Sequence, residues 1–184
     1  YAVSLPGRHN VSNTLAALAA GFALGLTPQE MQAGLRNIEG TKMRYETESV
    51  GAWMFINDAY NASPSSMRAA LETTAALYPG RKIAVLGDML ELGAAAEEAH
   101  RMIGRRAAEL GFAAVVTYGP QARWIHEAAE ETGCAACFHA ETHEEAAQLL
   151  RKILSDGDTV LFKGSRGMRM EQVIALLTGE KAGH

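Results

Sequence analysis

From residue 43 onward the spacing of hydrophobic and polar positions predicts an alternation of strands and helices. Residues 43–50 alternate apolar and polar side chains, as a half-exposed strand does. Gly51 turns the chain into the apolar run Trp53-Met54-Phe55-Ile56, so the two stretches predict a hairpin. That run ends on the carboxylate of Asp58 and leads into a polar loop, Ala59-Tyr60-Asn61-Ala62. Ser63 is a good helix cap and Pro64 suits the first helical position. Met67, Ala70 and Leu71 then recur at helical spacing, and Pro79-Gly80 ends the helix. Further buried strands are expected at 82–86, 113–118 and 158–162, with a short one near 135–138. Helices are expected at 95–110, 121–131 and 143–154, and a last one from about Met168, fading at Gly179 before a loose tail. Apolar strands separated by helices of this length predict an α/β fold: a Rossmann-like, mostly parallel sheet with helices on both faces.

The first 41 residues have a different pattern. Residues 1–5 alternate like a strand, and Pro6-Gly7 marks a turn. A helix follows with Leu15, Ala16, Leu18, Ala19, Phe22 and Ala23 on one face, capped by Asn10 or Ser12 and ended by Gly25. Asn10 and Asn13 are three apart and share a face if both are helical. Thr27-Pro28-Gln29-Glu30 opens a second helix with a capping box and runs to about Asn37. Gly40-Thr41-Lys42 reads as a linker, which divides the chain into 1–41 and 42–184. One strand and two helices bury too little surface to stand as a domain. A chain opening in mid-strand is therefore expected to be a piece of a longer fold.

Composition narrows the function. The formal charge of −4 argues against a general nucleic-acid binder. No apolar run approaches the ~20 residues of a membrane helix. Cys134 and Cys137 form a C-x-x-C pair without the second pair that a structural zinc needs, so ordinary half-buried thiols are expected. Few cysteines and no visible signal peptide suggest the reducing cytoplasm.

In a parallel sheet the carboxyl ends of the strands collect on one edge, where ligands bind. That edge would gather Asp58, Tyr60 and Asn61 from one loop, Asp88 and Glu91 from the next, Tyr118 from a third, and Lys163, Ser165 and Arg166 from the last. Two readings of Asp58 and Asn61 stand side by side: ligand contacts, or a strand cap and a turn. Lys163-Gly164-Ser165-Arg166-Gly167 combines bases, glycines and a hydroxyl where a helix is expected to begin, which favours an anion site. Asp88 and Glu91 suit an ammonium group, a metal or a helix cap, and capping is the simpler role. Arg44, just past the linker, is placed to reach a ligand held between domains, or is an exposed strand charge. No G-x-x-x-x-G-K-[ST] and no G-x-G-x-x-G after a strand occurs, which excludes a P-loop in this chain and weakens a nicotinamide-dehydrogenase reading.

Four stretches together resemble the Mur ligases. Pro6-Gly7-Arg8-His9-Asn10-Val11-Ser12-Asn13-Thr14-Leu15-Ala16-Ala17 is similar to the end of that family's central ATPase domain. Asn57-Asp58-Ala59-Tyr60-Asn61-Ala62-Ser63-Pro64, Leu86-Gly87-Asp88-Met89-Leu90-Glu91-Leu92-Gly93 and Lys163-Gly164-Ser165-Arg166 resemble its C-terminal domain. The resemblance implies a three-domain ATP-dependent ligase, of which this chain carries the end of the central domain (1–41) and the C-terminal domain (42–184). The particular set implies joining of D-alanyl-D-alanine to UDP-N-acetylmuramoyl-tripeptide through an acyl phosphate, in peptidoglycan synthesis. ATP and Mg²⁺ are the implied cofactors, with the metal ligands in the part of the central domain not represented here. By the same resemblance, Asn13 contacts the adenine with Asn10 supporting it, Arg44 reaches the ATP phosphates, and Asp58 bonds the ribose. Tyr60 and Asn61 lie by the nucleotide and the acceptor amine. Lys163, Ser165 and Arg166 hold the peptide end of the substrates. No catalytic or metal-ligating residue is assigned to this chain, which alone is expected to be inactive. The alternative is a stand-alone Rossmann-type nucleotide-binding or regulatory module.

Overall fold

The computed structural model of the chain describes residues 1–3, 5–38 and 41–179. Gly40 of the expected linker and the tail from Glu180 lie outside the described residues. Contacts divide the chain into two compact units, Tyr1–Thr41 and Lys42–His184.

The first unit is a helical pair, α1 (Arg8–Ala23) and α2 (Pro28–Arg36). Gly7 caps α1 with φ 96°, a left-handed conformation that suits glycine. The helix therefore starts before Asn10 and Ser12, and neither is its cap. Asn10 sits in the first turns, where its Nδ2 donates to Pro6 O at 2.7 Å. Thr27 caps α2 through the expected box: its Oγ1 accepts from Glu30 N, and the Glu30 carboxylate accepts from Thr27 N at 2.8 Å. The expected strand over 1–5 is not seen in the described residues 1–3 and 5. A strand needs a neighbouring strand to take its backbone bonds. Here Ala2 is paired instead with the Gln32 side chain, at 2.9 and 3.1 Å. Val11, Leu15 and Phe22 of α1 are 55, 61 and 78% exposed.

The second unit holds a six-stranded sheet with strand order β1-β2-β6-β3-β4-β5. Its strands are β1 (Glu46–Val50), β2 (Trp53–Asp58), β3 (Lys82–Gly87), β4 (Ala114–Tyr118), β5 (Cys137–Ala140) and β6 (Thr159–Lys163). β1 and β2 form the expected antiparallel hairpin, and all other neighbours are parallel. Successive strand residues point to opposite faces, so each strand feeds two cores. Ile56, Leu86 and Leu161 pack with α3 (Pro64–Leu77), α4 (Ala96–Glu109) and α5 (Arg123–Glu131) through Met67, Leu71, Ile103 and Ile125. Phe55, Val85, Val160 and Phe162 pack on the other face with α6 (His143–Ile153) and α7 (Glu171–Thr178) through Leu150 and Val173. Both layers expected for an α/β sheet are present.

Four elements begin two or more residues later than expected. β1 begins at Glu46 rather than 43, because Met43 and Tyr45 have positive φ and are not extended, and α5 begins at Arg123 rather than 121. β5 begins two residues later than expected, because Cys134 N still donates to Ala129 O at 3.0 Å and completes the end of α5. α7 also begins later: Arg166–Met168 form a single 3₁₀ turn, and Arg169 at φ 48° separates it from the helix. Cys134 and Cys137 are free and half-buried. Burial, and then the neighbouring Cys134 sulfur, push the Cys137 thiol up to about 12, so it stays protonated at neutral pH. Among the described residues, no helix is long and apolar enough to cross a membrane.

Candidate functional site

The parallel register sets Asp58, the last residue of β2, directly opposite Lys163, the last residue of β6. Lys163 is 2% exposed. Its ammonium lies 2.7 Å from Asp58 Oδ2 and donates to Asn61 O at 2.9 Å and to Asp58 O at 3.4 Å. Three donors thus meet three acceptors. Burial draws the Lys163 pKa down, and the Asp58 charge beside it works against that. The other carboxylate oxygen of Asp58 accepts from Tyr45 N at 3.0 Å.

That second bond depends on an unusual backbone. Met43 and Tyr45 adopt φ values of 60° and 54°, the left-handed region that costs a residue with a Cβ. The Tyr45 ring is buried and its hydroxyl meets Thr74 Oγ1 at 2.9 Å; desolvation pushes its pKa up to about 12, against the lowering effect of that hydrogen bond. Arg44, between the two, is turned to the surface with its guanidinium 4.2 Å from the centroid of the Tyr60 ring. Met43 O accepts from Tyr60 N at 3.0 Å, which ties this segment to the loop after β2. Arg44 is therefore a fixed positive charge at the strand edge, stacked on an exposed aromatic face. Asn61 is exposed beside it, with its Oδ1 accepting from Ala62 N.

Ser165 joins three loops. Its N–H donates to Asp88 O at 2.9 Å, and its Oγ accepts from Leu90 N at 2.9 Å and donates to Ala62 O at 3.5 Å. Arg166 is exposed and paired with Glu171 at 2.7 Å. The loop does not run directly into a helix as expected: Arg166–Met168 make a three-residue 3₁₀ turn, and α7 opens later, on the acidic Glu171. Asp88 is buried, and its Oδ1 accepts from Ala122 N at 2.6 Å just before α5. It therefore anchors the start of that helix, and burial raises its pKa. Glu91 remains exposed at φ 65°. Tyr118 packs against the His143 ring at 4.3 Å between centroids. Asn10 and Asn13 belong to the first unit, where Asn13 Nδ2 donates to Asn10 Oδ1 at 3.1 Å, so the two do share a face of α1.

His100 went unread in the sequence. It is fully buried; its Nε2 accepts from Met89 N at 2.9 Å, and its Nδ1 meets Ala96 O at 2.7 Å. A backbone donor on one nitrogen and a carbonyl on the other require the neutral ring. Burial lowers its pKa accordingly. Its position on the Ala96, Ala99, Ile103 and Ala107 face of α4 was the available signal. The folded state binds this proton less readily than the unfolded chain, whose histidine titrates near ~6.5. The stability is intact above that pH and is lost as pH falls below it. Urea unfolding should give a lower free energy at pH 5.5 than at pH 7.5, and His100→Gln should reduce the difference. Asp88 acts in the opposite sense, so the variant isolates His100; an undiminished difference would contradict the assignment.

The crevice between β3 and β6, whose following helices lie on opposite faces, is where Rossmann-type sheets hold dinucleotides. Methionines fill it. A Cβ on Gly87 would lie 2.8 Å from Met170 Sδ, and one on Gly164 would lie 2.9 Å from Met170 Cγ. The polar side chains of Asp58, Arg44 and Asn61 gather instead near the end of β2.

Residues 43–166 match the family model described as Mur ligase, glutamate ligase domain. The chain belongs to the Mur ligase family. The family resemblance of the four motifs thus holds. This Mur ligase segment is 38% identical over 177 residues to the UDP-N-acetylmuramoyl-tripeptide–D-alanyl-D-alanine ligase of Bacillus subtilis (strain 168), covering 95% of the chain and 39% of that relative. It is 34% identical to a MurF crystal structure from Acinetobacter baumannii, with a TM-score of 0.84 over 97% of the chain and 39% of that structure. It also superimposes on the MurF ligase from Thermotoga maritima in complex with ADP, with a TM-score of 0.80, 28% identity, and coverage of 95% and 39%. The Mur ligase segment therefore spans about two fifths of the length of these relatives.

Proposed function

We propose that this chain is the closing portion of an ATP-dependent amide ligase that adds D-alanyl-D-alanine to UDP-N-acetylmuramoyl-tripeptide in peptidoglycan synthesis. The observation that carries the reading is the fixed pair at the edge of β2, the Asp58 carboxylate and the Arg44 guanidinium, in a chain whose relatives bear that ligase's name. Residues 42–184 are the C-terminal domain. Residues 1–41 end a central ATP-binding domain, and the exposed Val11, Leu15 and Phe22 are the kind of surface that such a domain's remainder would cover.

In the proposed reaction, ATP phosphorylates the tripeptide carboxylate, and the amine of D-alanyl-D-alanine attacks the acyl phosphate. The tetrahedral intermediate collapses to the amide and phosphate. The residues of this chain bind and orient. Arg44 meets the ATP phosphates as a delocalised cation with a fork of donors. Asp58 accepts from the ribose diol, and Asn13, braced by Asn10, contacts the adenine. Tyr60 and Asn61 border the nucleotide and the incoming amine, and Ser165 and Arg166 lie towards the peptide end. Mg²⁺ is assigned, by the family resemblance, to the part of the central domain not represented here. Two free thiols suit a cytoplasmic setting.

Product analysis tests the reading. The full-length protein carrying this segment should form UDP-N-acetylmuramoyl-pentapeptide, and sustain ADP formation over repeated turnovers, only when ATP, the tripeptide nucleotide and D-alanyl-D-alanine are all present. The 184-residue chain alone should form neither. Turnover by the chain alone, with contaminating ligase excluded, would favour a self-sufficient module and overturn the assignment of a partial site.

A further inference from the structure

We infer that Lys163 is a positioning residue, which aims the Asp58 carboxylate at the nucleotide ribose and makes no contact with substrate itself. The inference rests on the ligase reading and replaces the direct peptide-holding role that the family resemblance implies for this lysine.

Three observations support it. First, Lys163 has nothing left to offer a ligand. It is 2% exposed, and its three ammonium donors are spent on Asp58 Oδ2, Asn61 O and Asp58 O. Second, the carboxylate it holds is still able to accept. Lys163 takes one acceptor position on Oδ2 and Tyr45 N takes one on Oδ1. Each carboxylate oxygen accepts two hydrogen bonds, so one position on each oxygen remains, and a vicinal diol supplies two donors. Asp58 keeps 16% of its side chain exposed at the strand edge, unlike its partner at 3%. Third, the same ammonium holds the first turn of the loop after β2 through the Asn61 and Asp58 carbonyls, while Ser165 holds Ala62. Lys163 thereby fixes both the carboxylate and the backbone from which Tyr60 and Asn61 project. A buried cation on one oxygen and a backbone N–H on the other hold the Asp58 carboxylate in one orientation, which is what a diol needs from its acceptor.

The consequence is specific to one part of one substrate. In the full-length protein, ATP should be preferred over 2′,3′-dideoxy-ATP by roughly tenfold to a hundredfold in kcat/KM, the range expected for hydrogen bonds to a charged acceptor. Lys163→Met should abolish most of that preference and raise KM for ATP, while KM for D-alanyl-D-alanine stays within about twofold. Asp58→Asn should lose the same preference with Lys163 still in place. A role in general stability would lower activity with both nucleotides and leave their ratio alone. Lys163→Gln keeps two amide donors without the charge. It should show an intermediate preference, and it is read in the same way if Lys163→Met fails to fold. An unchanged preference in a folded Lys163 variant would overturn the inference. So would a raised KM for D-alanyl-D-alanine with the nucleotide preference intact, which is the signature of a direct peptide contact. A wild-type enzyme that ligates but does not distinguish the two nucleotides would overturn it while leaving the ligase reading in place. If the wild type ligates nothing, the ligase reading has failed, and the ratio of the two dissociation constants judges Lys163 by the same criteria.

Discussion

Lys163→Met should lower the unfolding free energy of the 184-residue chain by about 3–5 kcal/mol, the usual cost of breaking a buried ion pair from one side. The methionine fits the space of the lysine stem, so packing is nearly conserved and the loss is electrostatic. Removing the ammonium leaves a carboxylate oxygen and two backbone carbonyls without the donor that satisfied them. Asp58→Asn should cost less, because the ammonium keeps its two carbonyls and can shed its proton. Its pKa is already drawn down by burial. Chemical denaturation of both variants measures the contrast. A Lys163→Met chain as stable as the parent would mean that the pair contributes nothing to the fold.

Gly104→Ala should destabilise the chain by roughly 1–3 kcal/mol, although alanine is the better helix former by about 1 kcal/mol. Gly104 lies in the middle of α4, where α5 crosses it. A Cβ there would sit 2.2 Å from the carbonyl oxygen of Ile125 and 3.0 Å from Ala128 Cβ and Ala129 N. The nearest obstacle is backbone, which cannot swing aside as a side chain can, so the two helices must separate and give up contacts around Ile103 and Ile125. Thermal or denaturant unfolding reports the result. A gain in stability would show that α4 and α5 can part without cost.

Much of the second unit was legible because its signals are local. Gly51 between two strand patterns predicts the hairpin, and Ser63-Pro64 announces α3. The apolar runs at 82–86 and 158–162 read as strands buried on both faces. Thr27 and Glu30 predict the cap of α2 for the same reason: both partners lie within one turn. What escaped depends on residues far apart in sequence. Lys163 pairs with a carboxylate 105 positions away, and only the β2–β6 register reveals it. In the sequence it reads as an anion-binding base in a glycine-bounded loop. His100 bonds to Met89 across a 3₁₀ turn that the α4 pattern does not announce. The strand expected at 1–5 shows the opposite error, since alternation was present but no neighbouring strand accompanies it in the described residues. At Arg169 a left-handed residue delays α7, and arginine carries no signal for that conformation.

The proposed ligation is tested most directly by oxygen tracing through its covalent step. UDP-N-acetylmuramoyl-tripeptide labelled with ¹⁸O in its terminal carboxylate is incubated with the full-length protein, ATP and D-alanyl-D-alanine. An acyl phosphate broken by the dipeptide amine should deliver one labelled oxygen to the released phosphate for each pentapeptide formed. Unlabelled phosphate released with the pentapeptide would contradict the account.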